Sequence, residues 1–585
     1  MDQKRLFMAI AISLAILVGF EYLIGPYLPH PAPPQEQTAL NESAPGKPPA
    51  TAQNIPPAPG GAAAATLQAQ PKNVPRVQIQ APSVRGSFSL VGARLDDITL
   101  THYRETLEPN SPDVKLLSPP GSPHPDYVQY GWTAAPGETV KVPGNDTLWS
   151  ASASTLTPGH PVTLSWDNGA GLTYQVILSV DDHYMFSVKQ AVKNATGQPV
   201  KLFPWKRVRR DYEPPPSGEY ILFVGMLGVV DNTLKETTYS SAQSEAKDHE
   251  GVAYQATSPG GWAGFTDKYW LTAMIPDQSV PETVTFHHLE EHGGHHYQVD
   301  YITKQPETVA PGAEAVLPSH LFTGAKVVRL LDDYGSQYHI PSFDKAVDWG
   351  WFYFLTKPIF YCLDWLNAMV GNFGIAIMLF TIGVKALFFP LANYSYRSMS
   401  KMKLLGPKMT AMREKFKDDP QKMQSEMMAM YKAEKVNPAS GCLPMLVQIP
   451  VFFSLYKVIY VTIEMRQAPF FGWIHDLSAI DPTNVFTLFG LIPWDPTGIS
   501  PFLHLGAWPL IMGLTMWAQQ KMNPPPPDPT QAKLFQLMPV IFTFMLARFP
   551  AGLVIYWSWN NTLSVGQQWL IMRRTKLARP GLART

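Results

Sequence analysis

The chain has few cysteines and a balanced charge for its length. Only two of its 585 residues are cysteine, Cys362 and Cys442, and both lie in apolar sequence. A fold held together by a framework of disulfides is therefore excluded. Lys and Arg together number 46, as do Asp and Glu, so the formal net charge is zero. This balance argues against a nucleic-acid-binding protein held by bulk positive charge, and we expect no nucleic-acid substrate.

The sequence also lacks the motifs of common catalytic and metal sites. It contains no nucleophile elbow, phosphate-binding loop or zinc-protease motif. Neighbouring residues of a strand face opposite sides, so His287 and His288 cannot readily share an ion, and a solvated hairpin tip is favoured over a metal site. We therefore predict no enzyme, no cofactor and no metal. The histidines crowded in this one predicted hairpin are His287, His288, His292, His295 and His296.

An apolar run at residues 6–25 predicts a membrane anchor. Its only charge is Glu21, and Lys4 and Arg5 precede it. At about 1.5 Å per residue, a helix of this length spans the roughly 30 Å hydrocarbon core of a bilayer. The run ends in Gly-Pro-Tyr-Leu-Pro instead of a small-residue cleavage site, which favours an uncleaved anchor in residues 1–28 over a cleaved signal peptide. The basic start predicts a cytoplasmic N-terminus.

Two regions of different composition follow the anchor. Residues 29–75 are rich in Pro, Ala, Gln and Gly with almost no large apolar side chains, so we expect a disordered tether. Residues 76–345 alternate Val, Ile, Tyr and Thr with polar residues between turn formers, which predicts a large antiparallel β-sandwich domain. This domain carries 20 basic and 30 acidic residues, which suits a domain exported to the periplasm.

Two hairpins and a basic cluster stand out within the predicted sandwich. One hairpin joins residues 172–180 to 184–192, and the other joins 283–289 to 295–302. The basic cluster could bind an anion, but the acidic residues beside it favour an exposed, self-compensated loop. The cluster comprises Lys206, Arg207, Arg209 and Arg210.

Residues 346–585 are predicted to form a helical core in the membrane. Residues 349–370 are rich in aromatics but carry charges, which favours an interfacial amphipathic helix over a span. Five apolar segments follow, and with the anchor they make six transmembrane helices. The five lie at residues 375–395, 442–463, 502–520, 533–549 and 553–571. The predicted fold is a polytopic α-helical membrane protein with a large periplasmic antiparallel β-sandwich domain.

Loop charges support this topology independently. Residues 397–435 contain ten Lys and Arg and the tail 573–584 contains five, whereas residues 465–501 contain only Arg466. Because cytoplasmic loops carry an excess of basic residues, both termini are predicted to be cytoplasmic. The net charge of zero is thus a cancellation between an acidic exported domain, at −10, and a basic membrane half, at +10.

Lys385 is the most informative residue of the predicted core. It lies 11 residues after Gly374 and 12 before Arg397, so about 16 Å of helix separates it from either membrane surface. An ammonium at that depth costs at least about 2.5 kcal/mol, so it should face a watery cavity or a charged partner. No carboxylate lies in the middle of another predicted span, which favours the cavity over a buried ion pair.

Other predicted spans carry polar residues at a similar depth. Each alone is typical of an interhelical hydrogen bond. Together with Lys385 they indicate a hydrated groove inside the membrane. These residues are Thr381, Gln448, Ser454, Thr515, Gln519, Asn560 and Asn561.

Residues 397–437 are predicted to form a cytoplasmic helical hairpin, broken at Asp418-Asp419-Pro420. The segment is rich in methionine, whose flexible thioether suits surfaces that accept varied apolar partners. Packing of one helix on the other explains the pattern equally well, and attraction of its basic residues to anionic lipid fits both interpretations. The methionines are Met399, Met402, Met409, Met412, Met423, Met427 and Met430.

Long motifs in the chain resemble the YidC/Oxa/Alb family of membrane protein insertases, in its Gram-negative YidC form. GWAGFTDKYWLTAMIP resembles the periplasmic domain of that family, and the resemblance covers nearly the whole chain apart from the tether. Residues 489–503 depart from the family pattern. The motifs of the helical half are GNFG from Gly371, YRSMSKMKLLGPKM from Tyr396, EMMAMYKAEKVNP from Glu426, GCLPMLVQIPVFFSLY from Gly441, WIHDLSAIDP from Trp473 and FPAGLVIYW from Phe549.

The resemblance implies an insertase and chaperone of the bacterial inner membrane. A positively charged groove would receive hydrophilic segments of nascent membrane proteins and release transmembrane segments sideways into lipid, alone or with the Sec translocon. The charge falls on Lys385, where Gram-negative members usually have arginine. Substrate contacts map onto Phe452, Met516 and Trp557, and groove positions also onto Thr381 and Gln448. The short basic tail makes the ribosome a weaker candidate partner.

Two other functions fit parts of the sequence. A solute transporter with a periplasmic binding domain is the main alternative, but it predicts inverted repeats, and none is evident. An enzyme whose β-domain acts on sugars is the third, and it predicts convergent carboxylates in a cleft.

Overall fold

The structure consists of a β-rich region followed by a helical region. The predicted anchor and all but the last two residues of the predicted tether lie outside the described residues. In this computed structural model the described residues are 74–215, 222–291, 293–416, 419–434, 443–494, 496–499, 503–523 and 529–577.

Twenty strands are described, and their side chains alternate between core and surface where one face meets solvent. Strand β9 shows this period most clearly, because Leu172, Tyr174, Val176, Leu178 and Val180 are buried and the residues between them are half-buried. The strands are β1 (Arg76–Gln80), β2 (Val84–Ser89), β3 (Arg94–Arg104), β4 (Asp113–Leu117), β5 (Asp126–Ala134), β6 (Ser150–Ala151), β7 (Thr155–Leu156), β8 (Val162–Asp167), β9 (Leu172–Val180), β10 (Met185–Asn194), β11 (Val200–Arg210), β12 (Gly225–Val230), β13 (Thr233–Thr238), β14 (Val252–Pro259), β15 (Trp262–Thr266), β16 (Trp270–Ile275), β17 (Pro281–Glu291), β18 (Gly294–Thr303), β19 (Glu307–Val309) and β20 (Glu314–Ala325).

These strands form two sheets around one apolar core. The larger sheet has the order β14-β17-β18-β11-β5-β3-β2-β1-β7, with β19 beside β11 and β4 beside β3. The other has the order β13-β12-β15-β16-β20-β10-β9-β8-β6. Pairing is antiparallel except between β1 and β7. Val128 and Phe286 of the first sheet and Phe322 of the second belong to the same buried cluster. The predicted antiparallel β-sandwich is confirmed, as are both predicted hairpins, β9–β10 and β17–β18.

The prediction of an exposed basic loop near residue 210 is wrong. Its four basic residues lie on β11, and their side chains are at most 4% exposed. Their carboxylate partners come mainly from other strands of the same sheet that are distant in sequence, so local sequence could not reveal the burial. The ion pairs are Lys206 with Glu282 at 2.8 Å, Arg207 with Asp300 at 2.8 Å, Arg209 with Asp211 at 2.5 Å, and Arg210 with Asp126 at 2.8 Å.

The histidine-rich hairpin places its histidines on both faces of the sheet. His287 pairs across the strands with Gln298 and His288 with Tyr297, so the two imidazoles point in opposite directions. His288 and His295 lie 3.0 Å apart at their ring nitrogens. Burial lowers the pKa of His287. Across the described residues, which exclude His292, no group of three or more His, Cys, Asp or Glu side chains could hold a metal ion.

Eleven α-helices are described, one between strands of the sandwich and ten after its last strand. The predicted interfacial helix at residues 349–370 corresponds to α3. The helices are α1 (Tyr239–Ala246), α2 (Val328–Gln337), α3 (Tyr353–Val370), α4 (Phe373–Leu387), α5 (Phe389–Leu404), α6 (Gly406–Lys415), α7 (Pro420–Ala433), α8 (Leu443–Val461), α9 (Ala507–Met522), α10 (Pro529–Leu546) and α11 (Ala551–Leu577).

The predicted span at residues 375–395 is not one helix. It is divided at Phe388 into α4 and α5, which meet at a bend of 68°. Pro390 explains the break, because proline has no N–H and its ring collides with the carbonyl four residues earlier. Among the described helices, none is by itself both long and apolar enough to cross a bilayer, whereas α4 and α5 together meet that criterion. The prediction of six separate transmembrane helices is therefore not confirmed by the helix lengths.

The boundaries of the predicted cytoplasmic hairpin also change. Arg397 and the next seven residues continue α5, so the hairpin itself consists of α6 and α7. The predicted break falls between these two helices at Asp419 and Pro420, and Asp418 lies outside the described residues. Asp419 accepts a hydrogen bond from the backbone N–H of Lys422 at 3.0 Å and so caps the start of α7.

Polar contacts fasten the sandwich region to the helical region. Lys457 of α8 pairs with Asp348 at 2.7 Å. Arg466 donates to the carbonyl of Arg104 in β3 at 2.6 Å. Glu464, just beyond α8, accepts a hydrogen bond at 2.9 Å from the N–H of Val328, the first residue of α2. Burial raises the pKa of Glu464 to about 7.

Candidate functional site

Lys385 lies near the end of α4, close to the bend. Asn372 caps the start of this helix by accepting from the N–H of Ile375 at 3.0 Å. The Lys385 ammonium donates to the hydroxyl of Ser564 in α11 at 2.7 Å. Within the described part of the chain no carboxylate pairs with Lys385. Its ammonium therefore meets a neutral oxygen, so its positive charge is not cancelled.

A chain of polar side chains continues from Lys385 across three helices. The Ser564 hydroxyl donates to the backbone carbonyl of Asn560, one turn earlier in α11, at 2.8 Å. The Asn560 side-chain oxygen in turn lies 3.4 Å from the amide nitrogen of Gln448 in α8. The structure thus brings together Lys385, Gln448 and Asn560, three of the predicted groove residues.

A small cavity adjoins this polar chain. Its volume is about 20 Å³, enough to hold one water molecule. It combines four polar side chains with an apolar wall, an arrangement that can hold water next to a charged group. The lining residues are Val384, Lys385, Phe388, Leu391, Ala392, Tyr396, Val447, Gln448 and Gln567.

Two of the three predicted substrate-contact residues meet each other. The rings of Phe452 in α8 and Trp557 in α11 have centroids 4.6 Å apart. Phe452 also stacks parallel to Tyr456 one turn later in α8. The third residue, Met516, is half-buried on α9. An aromatic surface therefore lies on the same two helices that carry Gln448 and Asn560.

Other predicted groove residues form hydrogen bonds within their own helices or have polar atoms without a partner among the described residues. Thr381 is buried and its hydroxyl donates to the carbonyl of Ile377 in its own helix at 2.7 Å. Thr515 donates to Met512 in the same way at 2.8 Å, and Gln519 is half-buried. Ser454 and Asn561 are buried, and the Ser454 hydroxyl and the Asn561 amide nitrogen have no described partner.

Most of the predicted hairpin methionines take part in packing. Met409 is buried with Leu405 and Tyr431, and the Tyr431 hydroxyl donates to its sulfur at 3.6 Å. Met402, Met427 and Met430 pack around this cluster. Met399 packs against Ala392, Tyr396 and Ile571. Met412 and Met423 are half-buried.

Three polar residues at the site were not predicted. They are Ser564, which binds the Lys385 ammonium, and Tyr396 and Gln567, which line the cavity. The sequence did hold a signal for two of them. Asn560, Ser564 and Gln567 follow one another at spacings of four and three residues, which places all three on one face of α11.

Two family models together match most of the chain. The model for the YidC periplasmic domain matches residues 76–362, and the model for the 60Kd inner membrane protein matches residues 365–578. The chain is 60% identical to the membrane protein insertase YidC of Granulibacter bethesdensis, with 100% of both chains covered. It is 56% identical to that of Acidiphilium cryptum, over 86% of this chain and 85% of the relative.

A solved structure also aligns with most of the chain. It is the crystal structure of an active YidC insertase with its first transmembrane domain resolved. The match has a TM-score of 0.35 and 17% sequence identity, and it covers 85% of this chain and 92% of that chain.

A periplasmic β-sandwich joined to an apolar helical region defines a bacterial inner-membrane protein of insertase architecture. Because its similarity to named relatives extends over its full length, the chain belongs to the YidC family of membrane protein insertases. It acts in membrane protein insertion and is not an enzyme.

Proposed function

We propose that the polar chain from Lys385 to Gln448 is the place where hydrophilic segments of nascent membrane proteins enter the bilayer. The observation that carries this proposal is the hydrogen bond from the Lys385 ammonium to a neutral hydroxyl beside a cavity. An uncancelled positive charge lowers the cost of moving an acidic or polar segment inward. The segment's apolar helix then leaves sideways into lipid, passing Phe452, Met516 and Trp557.

The same proposal includes the membrane arrangement. Residues 1–28 serve as the anchor, 29–75 as the tether, 76–345 as the periplasmic domain and 346–585 as the insertase core. The bent pair α4–α5 and the helices α8 to α11, with the anchor, make six membrane passages, and both termini are cytoplasmic. The excess of basic residues in α5 to α7 supports this orientation and also an attraction to anionic lipid.

Several partners follow from this arrangement. The hairpin methionines that remain half-buried, Met412 and Met423 among them, are available to an incoming apolar segment. For larger clients we propose that the chain works beside the Sec translocon. The basic residues near the C-terminus are few, so we rank the ribosome below nascent clients as a direct partner.

Reconstitution of the purified full-length chain tests the proposed function. In proteoliposomes containing this chain alone, a small two-span client added during its synthesis should gain protease protection, and empty liposomes should give little. A transporter would instead produce solute uptake and no protection. Protection equal to that of empty liposomes, with the chain shown to be folded, would rule out independent insertion.

A variant lacking residues 76–325 separates the insertase from the sugar-directed enzyme. It retains α2 and therefore the bond between Val328 and Glu464. We expect insertion by this variant to remain largely intact, because the polar chain at Lys385 lies entirely on α4, α8 and α11.

A further inference from the structure

The segment between α8 and α9 contains an apolar loop that the proposed function does not use. Its two ends are tied together: the N–H of Val485 donates to the carbonyl of Leu505 at 2.9 Å, and the Asn484 amide donates to the carbonyl of Leu503 at 2.9 Å. The Asn484 oxygen accepts from the N–H of Phe486 at 3.0 Å. The loop therefore leaves the helical region and returns to it at one closed base.

Asp481 fixes this base to the start of α9. Its side chain is 1% exposed. One oxygen accepts from the indole of Trp473 at 3.1 Å, and the other accepts from the N–H of Trp508 at 2.8 Å. Trp508 lies in the first turn of α9, where an anionic partner is favoured. The orientation of the loop is therefore fixed relative to the start of α9.

The tip of the loop has an unusual backbone. Leu488, Phe489 and Gly490 are consecutive residues with φ of 48°, 60° and 95°, a left-handed conformation that side chains disfavour and that persists only when its surroundings hold it. Here the N–H of Phe489 donates to the carbonyl of Asn484 at 2.9 Å. The indole of Trp494 donates to the carbonyl of Phe486 at 3.1 Å.

This backbone exposes a group of large apolar side chains. Residues 485–503 include one charged residue, Asp495. Apolar side chains held outward in this way, with a single charged residue in the segment, are unfavourable in water and typical of a surface that meets a partner or a membrane. The exposed side chains are Leu488 at 54%, Phe489 at 58%, Leu491 at 83%, Ile492 at 42%, Trp494 at 45% and Ile499 at 75%.

The position of the loop indicates which partner it meets. The segment that leads from α8 to the loop contacts the start of α4, because the Asn372 amide donates to the carbonyl of Pro469 at 3.3 Å. Helix α3 ends at that same place, and its Trp365 and Met369 are 59% and 65% exposed. The loop and α3 therefore share one end of an inner-membrane helical region, where tryptophan and apolar side chains meet the lipid interface.

We propose that residues 488–494 and 496–499 form a rigid wedge that inserts into the outer leaflet of the inner membrane and sets the depth of α9. This inference rests on the proposed orientation, in which α8 ends and α9 begins at the periplasmic surface. The acyl chains of phospholipids cover the exposed side chains, and the strained tip keeps them pointed into the lipid.

Depth-dependent fluorescence quenching tests the wedge in the full-length chain. With Cys362 and Cys442 replaced by serine, the variants Leu491→Cys and Leu148→Cys each receive one environment-sensitive NBD dye. Leu148 is a matched control, because it is 58% exposed and lies in the sandwich region, bridged to Val91. In vesicles of phosphatidylethanolamine and phosphatidylglycerol, lipids brominated near the headgroup should quench the dye at 491 at least about twofold and leave the dye at 148 unaffected.

Two results would overturn the wedge. One is equal quenching, or none, at 491 and 148. The other is a blue shift at 491 that persists in detergent and grows with protein concentration, since this would mean that a second copy of the chain covers the loop. Insertion of a client is measured on the same vesicles. Normal insertion without quenching at 491 would reject the wedge and leave the proposed function standing. Quenching at 491 without insertion would support the wedge and reject the proposed function.

Discussion

Replacing Lys385 with glutamate should reduce insertion of clients that carry acidic exported tails by at least about tenfold, equivalent to about 1.4 kcal/mol of barrier. The glutamate would put a negative charge beside the Ser564 hydroxyl and repel the tail that the lysine attracts. Lys385→Arg should support insertion, because it keeps the positive charge. Protease protection of the client in proteoliposomes is the measurement.

Two comparisons make this result specific to the groove. Clients with uncharged tails should lose less insertion than acidic ones in Lys385→Glu. The matched variant Lys521→Glu changes an exposed lysine in the last turn of α9 and should insert both clients normally. Normal insertion of acidic tails by Lys385→Glu would contradict an electrostatic role for this residue.

Replacing Arg210 with alanine should destabilise the sandwich domain by about 3–5 kcal/mol. Arg210 is buried and contacts Asp126 at 2.8 Å, Asp267 at 3.0 Å and the hydroxyl of Tyr239 at 2.8 Å. Alanine would leave both carboxylates without their partner, and Asp126 is fully buried. Thermal unfolding followed by circular dichroism on the full chain measures the loss.

The destabilisation should grow as pH rises. Burial raises the pKa of Asp126 to about 7, and the nearby Arg210 charge opposes that rise. Without Arg210 the pKa of Asp126 in the folded state rises further above its unfolded value, so the Asp126 carboxyl of the folded state stays protonated at low pH. Stability is then lost as pH rises through the folded pKa, and the difference from wild type should be larger at pH 8 than at pH 5.5.

An exposed ion pair provides the control for Arg210. Arg85 and Asp113 lie 2.7 Å apart, with the Arg85 side chain 61% exposed. Arg85→Ala should change stability by less than about 1 kcal/mol at either pH. A loss in Arg210→Ala no greater than that in Arg85→Ala would show that the buried network does not stabilise the domain.

Local sequence patterns predicted the sandwich well but not its charged interior. Alternation and turn residues were enough for the hairpins β9–β10 and β17–β18, because each is formed by neighbouring segments. Arg210 and Asp126 are 84 residues apart, and Lys206 and Glu282 are 76 apart. Only the register of β5, β11 and β17 brings these charges together, so their local sequence resembled an exposed loop.

The same limit applies to the candidate site. Lys385 could be identified from its depth in an apolar run, because that signal lies in one segment. Its partner Ser564 is 179 residues away and became visible only when α4 packed on α11. The bend at Phe388 did have a local signal, Pro390, but hydropathy averaged over residues 375–395 concealed it. Averaged hydropathy therefore predicted one straight helix over residues 375–395, where the structure has two helices joined at a bend.

The most direct measurement is site-specific photocrosslinking during synthesis of a membrane protein. A photoreactive residue is placed at Gln448, Phe452 or Met516, and at the exposed Trp569 of α11 as a control. If nascent membrane proteins enter the helical core beside Lys385, they should crosslink to the first three positions and more weakly to Trp569. No crosslink to a nascent protein at the first three positions, or equally strong crosslinks at all four, would contradict the proposed route of entry.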